Sequence, residues 1–171
     1  QPNGQYLYSP SDLVRFMESP FASAMERLVH EDRSYLEKRD PDDDQMKLLQ
    51  KRGYAHEDNL ESHFRSLDKH VIKIEGATEE EKRKKTLTAM REGKDVIIQA
   101  YLCNGVFAGF ADFLIKVSGK SIFGDYHYEV WDTKLAHHVK PAFVMQLCCY
   151  AEMLDVIQEK LPANITVALG D

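Results

Sequence analysis

The chain has 171 residues, 43% of them hydrophobic, which is enough for one substantial core, so we expect a single domain over residues 1–171. Its 28 acidic and 22 basic residues give a net charge of −6, which excludes a protein that coats nucleic acid through bulk positive charge. No apolar run reaches the roughly 20 residues of a membrane span, and the three cysteines lack disulfide or CxxC spacing, which predicts a soluble, cytoplasmic protein with reduced thiols.

The first half of the chain has the pattern of helices. Ser9-Pro10 and Ser19-Pro20 are typical helix starts, since serine caps the first amide groups and proline fits the first turn. The charged stretch 31–44 is predicted to be a solvated connection or a frayed helix end. Over residues 45–69 the apolar residues recur at helical spacing with an interruption near Gly53, which predicts two helical pieces.

The second half changes towards the pattern of strands. β-Branched and aromatic residues favour three antiparallel strands in succession, over 96–102, 106–117 and 126–132. The other predicted elements are a short strand over 71–74, a charged helix over 78–91, a helix over 140–159 and a strand over 165–169. A mainly helical part, 1–92, is therefore expected to precede a β-β-β-α-β part, 93–171.

The third of the successive strands holds Asp132-Thr133-Lys134. Alternation along a strand puts Asp132 and Lys134 on one face, so an acid and an amine share a site. This pair suits phosphodiester hydrolysis, because the carboxylate can hold a hard cation while the ammonium stabilises negative charge or positions the attacking water. An isolated pair at this spacing is, however, more often an exposed salt bridge.

Asp112 is the only charged residue in the otherwise apolar run 109–115. A buried carboxylate needs a partner, because burial without one is costly. If the two strands pair, Asp112 and Asp132 can converge on a shared cation, whereas the alternative is a structural, hydrogen-bonded aspartate.

Two helical positions add further candidates. Gln146 and Tyr150 are four residues apart and project together beside an apolar helix face, where the glutamine either caps a carbonyl or orients a group near a metal. His56 is either a polar cap or a surface residue, or a nitrogen ligand in an otherwise oxygen-rich site. The basic run Lys82 to Lys85 is either an exposed face or a contact for phosphate.

Taken together and in this order, these residues resemble the RecB-like PD-(D/E)xK nucleases, and the likeness extends from Tyr8 to the last strand. The residues that carry it are His56, Gly109, Asp112, Asp132, Thr133, Lys134, Gln146 and Tyr150. The likeness implies an α/β fold with a restriction-endonuclease-like core, a mixed central sheet flanked by helices. It also implies a Mg²⁺- or Mn²⁺-dependent DNA nuclease, expected to be an exonuclease in DNA repair or recombination.

The resemblance also implies residue roles and partners. His56, Asp112, Asp132 and the Thr133 carbonyl would be metal ligands, Lys134 the catalytic lysine, and Gln146 and Tyr150 supports for the catalytic site and the DNA strand, with Lys82 and Lys85 as further candidates for DNA contact. Glu57 either joins the site through water or faces solvent. The partners would be single-stranded DNA or duplex ends, and a helicase domain in a longer polypeptide of which this chain is a module.

One departure from the family bears on cofactors. Several relatives carry an iron–sulfur cluster whose first cysteine precedes a proline, whereas Ser19 precedes Pro20 in this chain, so we expect no such cluster. Two other classes of function remain as alternatives. One is a catalytically inactive DNA-binding module on the same fold, and the other is a structural or interaction domain whose acids form salt bridges.

Overall fold

The centre of the fold is a five-stranded mixed sheet, in a computed structural model that describes residues 6–38 and 44–170. The strands are β1 (Val71–Lys73), β2 (Val96–Cys103), β3 (Ala108–Ser121), β4 (Gly124–Leu135) and β5 (Ile165–Gly170). They lie in the order β1-β2-β3-β4-β5, with β1/β2 and β4/β5 parallel and the two central pairings antiparallel. The predicted antiparallel succession and the final strand are confirmed.

Among the described residues, five α-helices lie before and between these strands. They are α1 (Pro10–Glu18), α2 (Pro20–Glu31), α3 (Asp44–Ser66), α4 (Glu79–Arg91) and α5 (Pro141–Gln158), and a 3-10 helix, Arg33–Lys38, follows α2. Ser9 and Ser19 cap α1 and α2 as predicted, and each accepts a hydrogen bond at 3.1 Å from a backbone amide. Residues 39–43 of the predicted charged connection lie outside the described residues.

The predicted break near Gly53 is wrong, because α3 runs through Gly53 without interruption. A glycine inside a helix costs about 1 kcal/mol relative to alanine, which the packing of a long helix readily offsets. Phe64 of α3 is buried against the sheet, with Leu60 one turn earlier, and this packing holds the helix together.

Helices cover both faces of the sheet. On one face, α3 packs through Phe64 against a core that includes Ile98 and Phe113. On the other face, residues of α4 and α5, among them Met90 and Leu154, pack against the opposite side chains of the same strands. The chain is therefore an α/β protein with a mixed sheet flanked by helices. None of the helices in the described part of the chain is long and apolar enough to cross a membrane.

Candidate functional site

Three polar residues lie in one row across the central strands. In the β2/β3 register Gln99 falls opposite Asp112. The pairing of β3 with β4 ends at Phe113 and Trp131, so Asp112 and Asp132 lie one step beyond the last paired residues. The two central strands therefore separate where the two aspartates face each other, which opens a gap in the backbone pairing at that point.

Thr133 closes part of this gap through the side chain of Asp112. Both the backbone amide and the hydroxyl of Thr133 donate to Asp112 Oδ2, each at 2.9 Å. Two donors on one oxygen fix the orientation of the carboxylate, which leaves Oδ1 as the oxygen that can face a ligand. The predicted partner for the charged group in this apolar strand is thus found on β4.

Asp132 is almost fully buried beside this pair, with 2% of its surface exposed. The ammonium of Lys134 lies 2.5 Å from Asp132 Oδ2, on the same face of β4 as the alternation predicts. This ammonium offsets only part of the cost of burying the Asp132 carboxylate beside Asp112, so the site still favours a further positive charge or a proton.

The pKa shifts of the acids at this site show the same preference for a positive charge or a proton. Burial, followed by the like charge of Asp112, raises the pKa of Asp132 to about 7, although Lys134 opposes this shift. Burial also raises the pKa of Glu57 on α3, and the charge of Asp112 adds to that shift. A positive charge between the acids would relieve both the repulsion and the desolvation.

His56 lies next to this site but is turned towards the end of β5. Its Nε2 is 3.0 Å from the carbonyl oxygen of Ala168, the residue that pairs with Thr133. A Cβ at Gly170 would come within 2.8 Å of the ring, so the glycine makes room for the histidine. In the part of the chain that the structure describes, no three His, Cys, Asp or Glu side chains are arranged to hold a metal ion. The structure thus groups the two aspartates but does not group His56 with them.

Gln146 and Tyr150 of α5 come together as their spacing predicts. Tyr150 is buried and donates to the carbonyl oxygen of Phe110, two residues before Asp112, at 2.6 Å. Burial and the charges of Asp132 and Asp112 raise its pKa, while a side-chain hydrogen bond with Gln146 opposes the shift. Tyr150 therefore stays a neutral donor and fixes the backbone of β3 beside the aspartates.

Gly109 permits the approach of Tyr150, since a Cβ there would lie 2.9 Å from Pro10 Cδ and 3.1 Å from the Tyr150 hydroxyl. We expect Gly109→Ala to lower the free energy of unfolding by about 1–3 kcal/mol through overpacking. The control is Gly53→Ala, whose nearest atom is 4.0 Å away and which should raise stability by about 1 kcal/mol. Urea unfolding of both variants measures the difference, and equal effects would contradict this role of Gly109.

The basic run of α4 is largely paired with acids of the same helix. Lys85 forms an ion pair with Glu81 and also donates to the Glu75 carbonyl oxygen, both at 2.8 Å. Lys82 lies over the ring of Phe110, 4.7 Å from its centroid, and so stands near the strand that carries Asp112. Of the two predicted DNA-contacting lysines, Lys82 is therefore the one that contacts a residue of the strand carrying Asp112.

Sequence reasoning missed Gln99 and left Glu57 open. Gln99 Nε2 donates to Glu57 Oε1 at 2.5 Å, which links α3 to β2 beside Asp112. The signal that could have found Gln99 is the one that found Asp112, a strongly polar side chain in an apolar strand. Comparison with known proteins adds nothing to this site, because no family model, no curated protein and no solved structure matches the chain.

Proposed function

We propose that the chain is a Mg²⁺- or Mn²⁺-dependent DNA nuclease of the RecB-like PD-(D/E)xK type, with a restriction-endonuclease-like core. The observation that carries the proposal is the pair of a half-buried Asp112 and a buried Asp132 where the central strands separate, with the Lys134 ammonium against Asp132. A salt bridge with Lys134 accounts for Asp132, and the hydrogen bonds from Thr133 orient Asp112 without neutralising its charge. A second carboxylate beside the first is what a cation site requires.

The acids support a cation for a simple electrostatic reason. The carboxylates of Asp112 and Asp132 repel each other, and a single ammonium offsets only part of that charge. Asp112 and Asp132 would hold the ion, and the resemblance adds the Thr133 carbonyl and, if its ring turns away from Ala168, His56. When bound, the cation would polarise the scissile phosphate and lower the pKa of a water molecule.

The other side chains of the site have roles that do not depend on the ion. Lys134 carries the positive charge that can stabilise the negative charge developing on the phosphate during attack. Thr133 orients Asp112 through its two donors, and Tyr150 fixes the backbone of β3 at Phe110. These groups hold the reacting parts in place before the substrate arrives, which is where much of the catalytic advantage of such sites originates.

The DNA strand would run past the point where β3 and β4 separate. Lys82, over Phe110, is a candidate phosphate contact on one side of the aspartates. We propose single-stranded DNA or duplex ends as substrate, exonucleolytic cleavage to a 5′-phosphate and a 3′-hydroxyl, and a role in DNA repair or recombination beside a helicase domain. These finer assignments rest on the family resemblance.

The test uses end-labelled single-stranded and duplex DNA with Mn²⁺ or with a chelator. The wild type should cleave only with Mn²⁺, and Asp112→Asn should lose about 100-fold or more, because a metal ligand is removed while an oxygen that can accept from Thr133 is kept. Asp125→Asn, at an exposed acid on β4, is the matched control. Cleavage in chelator, or wild-type cleavage by Asp112→Asn, would overturn the proposal. DNA binding without any cleavage would favour the inactive DNA-binding module.

A further inference from the structure

Gln99 has an unusual backbone for a residue inside a central strand. Its φ is +53°, in the left-handed region that non-glycine residues rarely adopt. The side-chain alternation changes phase there, since Ile97, Ala100 and Leu102 all belong to the core on one face of the sheet. Strained backbone of this kind persists only where surrounding structure enforces it, and it concentrates at functional sites.

The strained backbone turns the Gln99 side chain towards α3. Its amide donates to Glu57 Oε1 at 2.5 Å, across 42 positions of sequence. The Glu57 carboxylate is half-buried and feels the charge of Asp112, which lies opposite Gln99 in the sheet register. A neutral amide orients this carboxylate and leaves its negative charge in place. A lysine or arginine in the same place would cancel that charge.

We infer that Gln99 is a positioning residue that holds the Glu57 carboxylate towards Asp112, where Glu57 binds a water molecule of the hydrated divalent cation. The inference rests on the proposed function. Binding through water suits Mg²⁺, which keeps several of its waters in protein sites.

The left-handed backbone at Gln99 allows its side chain to reach α3. A regular strand would point residue 99 into one of the two apolar cores, since its neighbours Ile98 and Ala100 both lie in them. The left-handed turn instead directs a polar group to the helix that covers the sheet. A mere tie between α3 and β2 would give the same hydrogen bond, so the two roles must be separated by measuring cation binding.

The experiment is calorimetric titration of the full chain with Mn²⁺ alone, without DNA. Gln99→Gly allows the left-handed backbone, which glycine adopts freely, and removes the side chain with its amide. We expect Gln99→Gly and Glu57→Gln each to weaken Mn²⁺ binding by about 10- to 100-fold, the usual effect of an outer-shell group. The double variant should bind no more weakly than Glu57→Gln, because Gln99 acts through Glu57.

Glu61→Gln is the matched control, since Glu61 lies one turn further along α3 and pairs with Lys73 and Arg65. It should bind Mn²⁺ as the wild type does. If the wild type binds no Mn²⁺, the proposed function fails. If the wild type binds and Asp112→Asn does not, but Gln99→Gly binds normally, the inference alone is overturned. Additive losses in the double variant would also overturn it. If Gln99→Gly does not fold, Glu57→Gln still tests the water-binding step, because it leaves the strained backbone at Gln99 intact.

Discussion

Replacing Lys134 by alanine is expected to slow Mn²⁺-dependent DNA cleavage by about 100- to 1000-fold, as removal of one group that stabilises a developing negative charge does in other sites. The ammonium lies 2.5 Å from Asp132 Oδ2, and the Lys134 side chain is only 23% exposed, so the positive charge is held beside the acids. The loss should fall on kcat, because the charge that Lys134 stabilises develops only during the reaction. Single-turnover cleavage of labelled DNA measures it.

The chain offers a matched control in Lys140→Ala. Lys134 and Lys140 lie over the same Phe143 ring, 5.7 and 5.8 Å from its centroid, but Lys140 is exposed. Its removal should leave kcat within a few-fold and raise KM at most. Equal losses of kcat in the two variants would mean that Lys134 acts only through the general charge of this end of the sheet.

Asp132→Asn is expected to remove cleavage and, in chelator at pH 8, to stabilise the protein by up to about 4 kcal/mol. The upper value follows from about 3 pKa units at about 1.4 kcal/mol each. At pH 8 the folded wild type holds an ionised Asp132 in a buried site beside Asp112, and the asparagine removes that charge. A gain in stability with a loss of activity is typical of residues kept for function. Thermal melting with and without Mn²⁺ measures the effect.

The same variant tests the pH dependence. The pKa of Asp132 is raised in the folded state to about 7 from an ordinary value of 3.8, so the folded state binds the proton first. Metal-free wild type should therefore gain stability as the pH falls from about 7 to 4, with no further gain from this group below that. Asp132→Asn should lack this gain, whereas the exposed Asp125→Asn should keep it. A wild type that loses stability over this range would contradict the assignment.

Much of the fold follows from local patterns in the sequence. The caps Ser9 and Ser19 and the β-branched runs place helices and strands where the structure has them. The proximity of Asp112 and Asp132 can also be predicted from the sequence, because a lone charge in an apolar strand needs a partner. The uninterrupted course of α3 cannot be predicted, since the cost of its interior glycine is offset by packing that the local sequence does not reveal.

The remaining geometry depends on contacts between distant segments. A polar residue in an apolar strand marks Gln99 in the sequence, but its left-handed φ reverses the alternation, so the pattern does not predict which way its side chain points. The orientation of His56 depends on how α3 crosses the end of β5, where Gly170 admits the ring and Ala168 accepts from it. Neither the crossing nor the hydrogen bond has a local sequence signal.

A crystal structure with Mn²⁺, located by its anomalous scattering, tests the central claim most directly. We expect one strong peak in contact with carboxylate oxygens of both Asp112 and Asp132, with the Lys134 ammonium displaced from its present contact with Asp132 Oδ2. The same map would show whether the His56 ring leaves Ala168 to join the ion. A map without Mn²⁺ at the two aspartates, at a concentration that saturates any site seen in solution, would contradict the account.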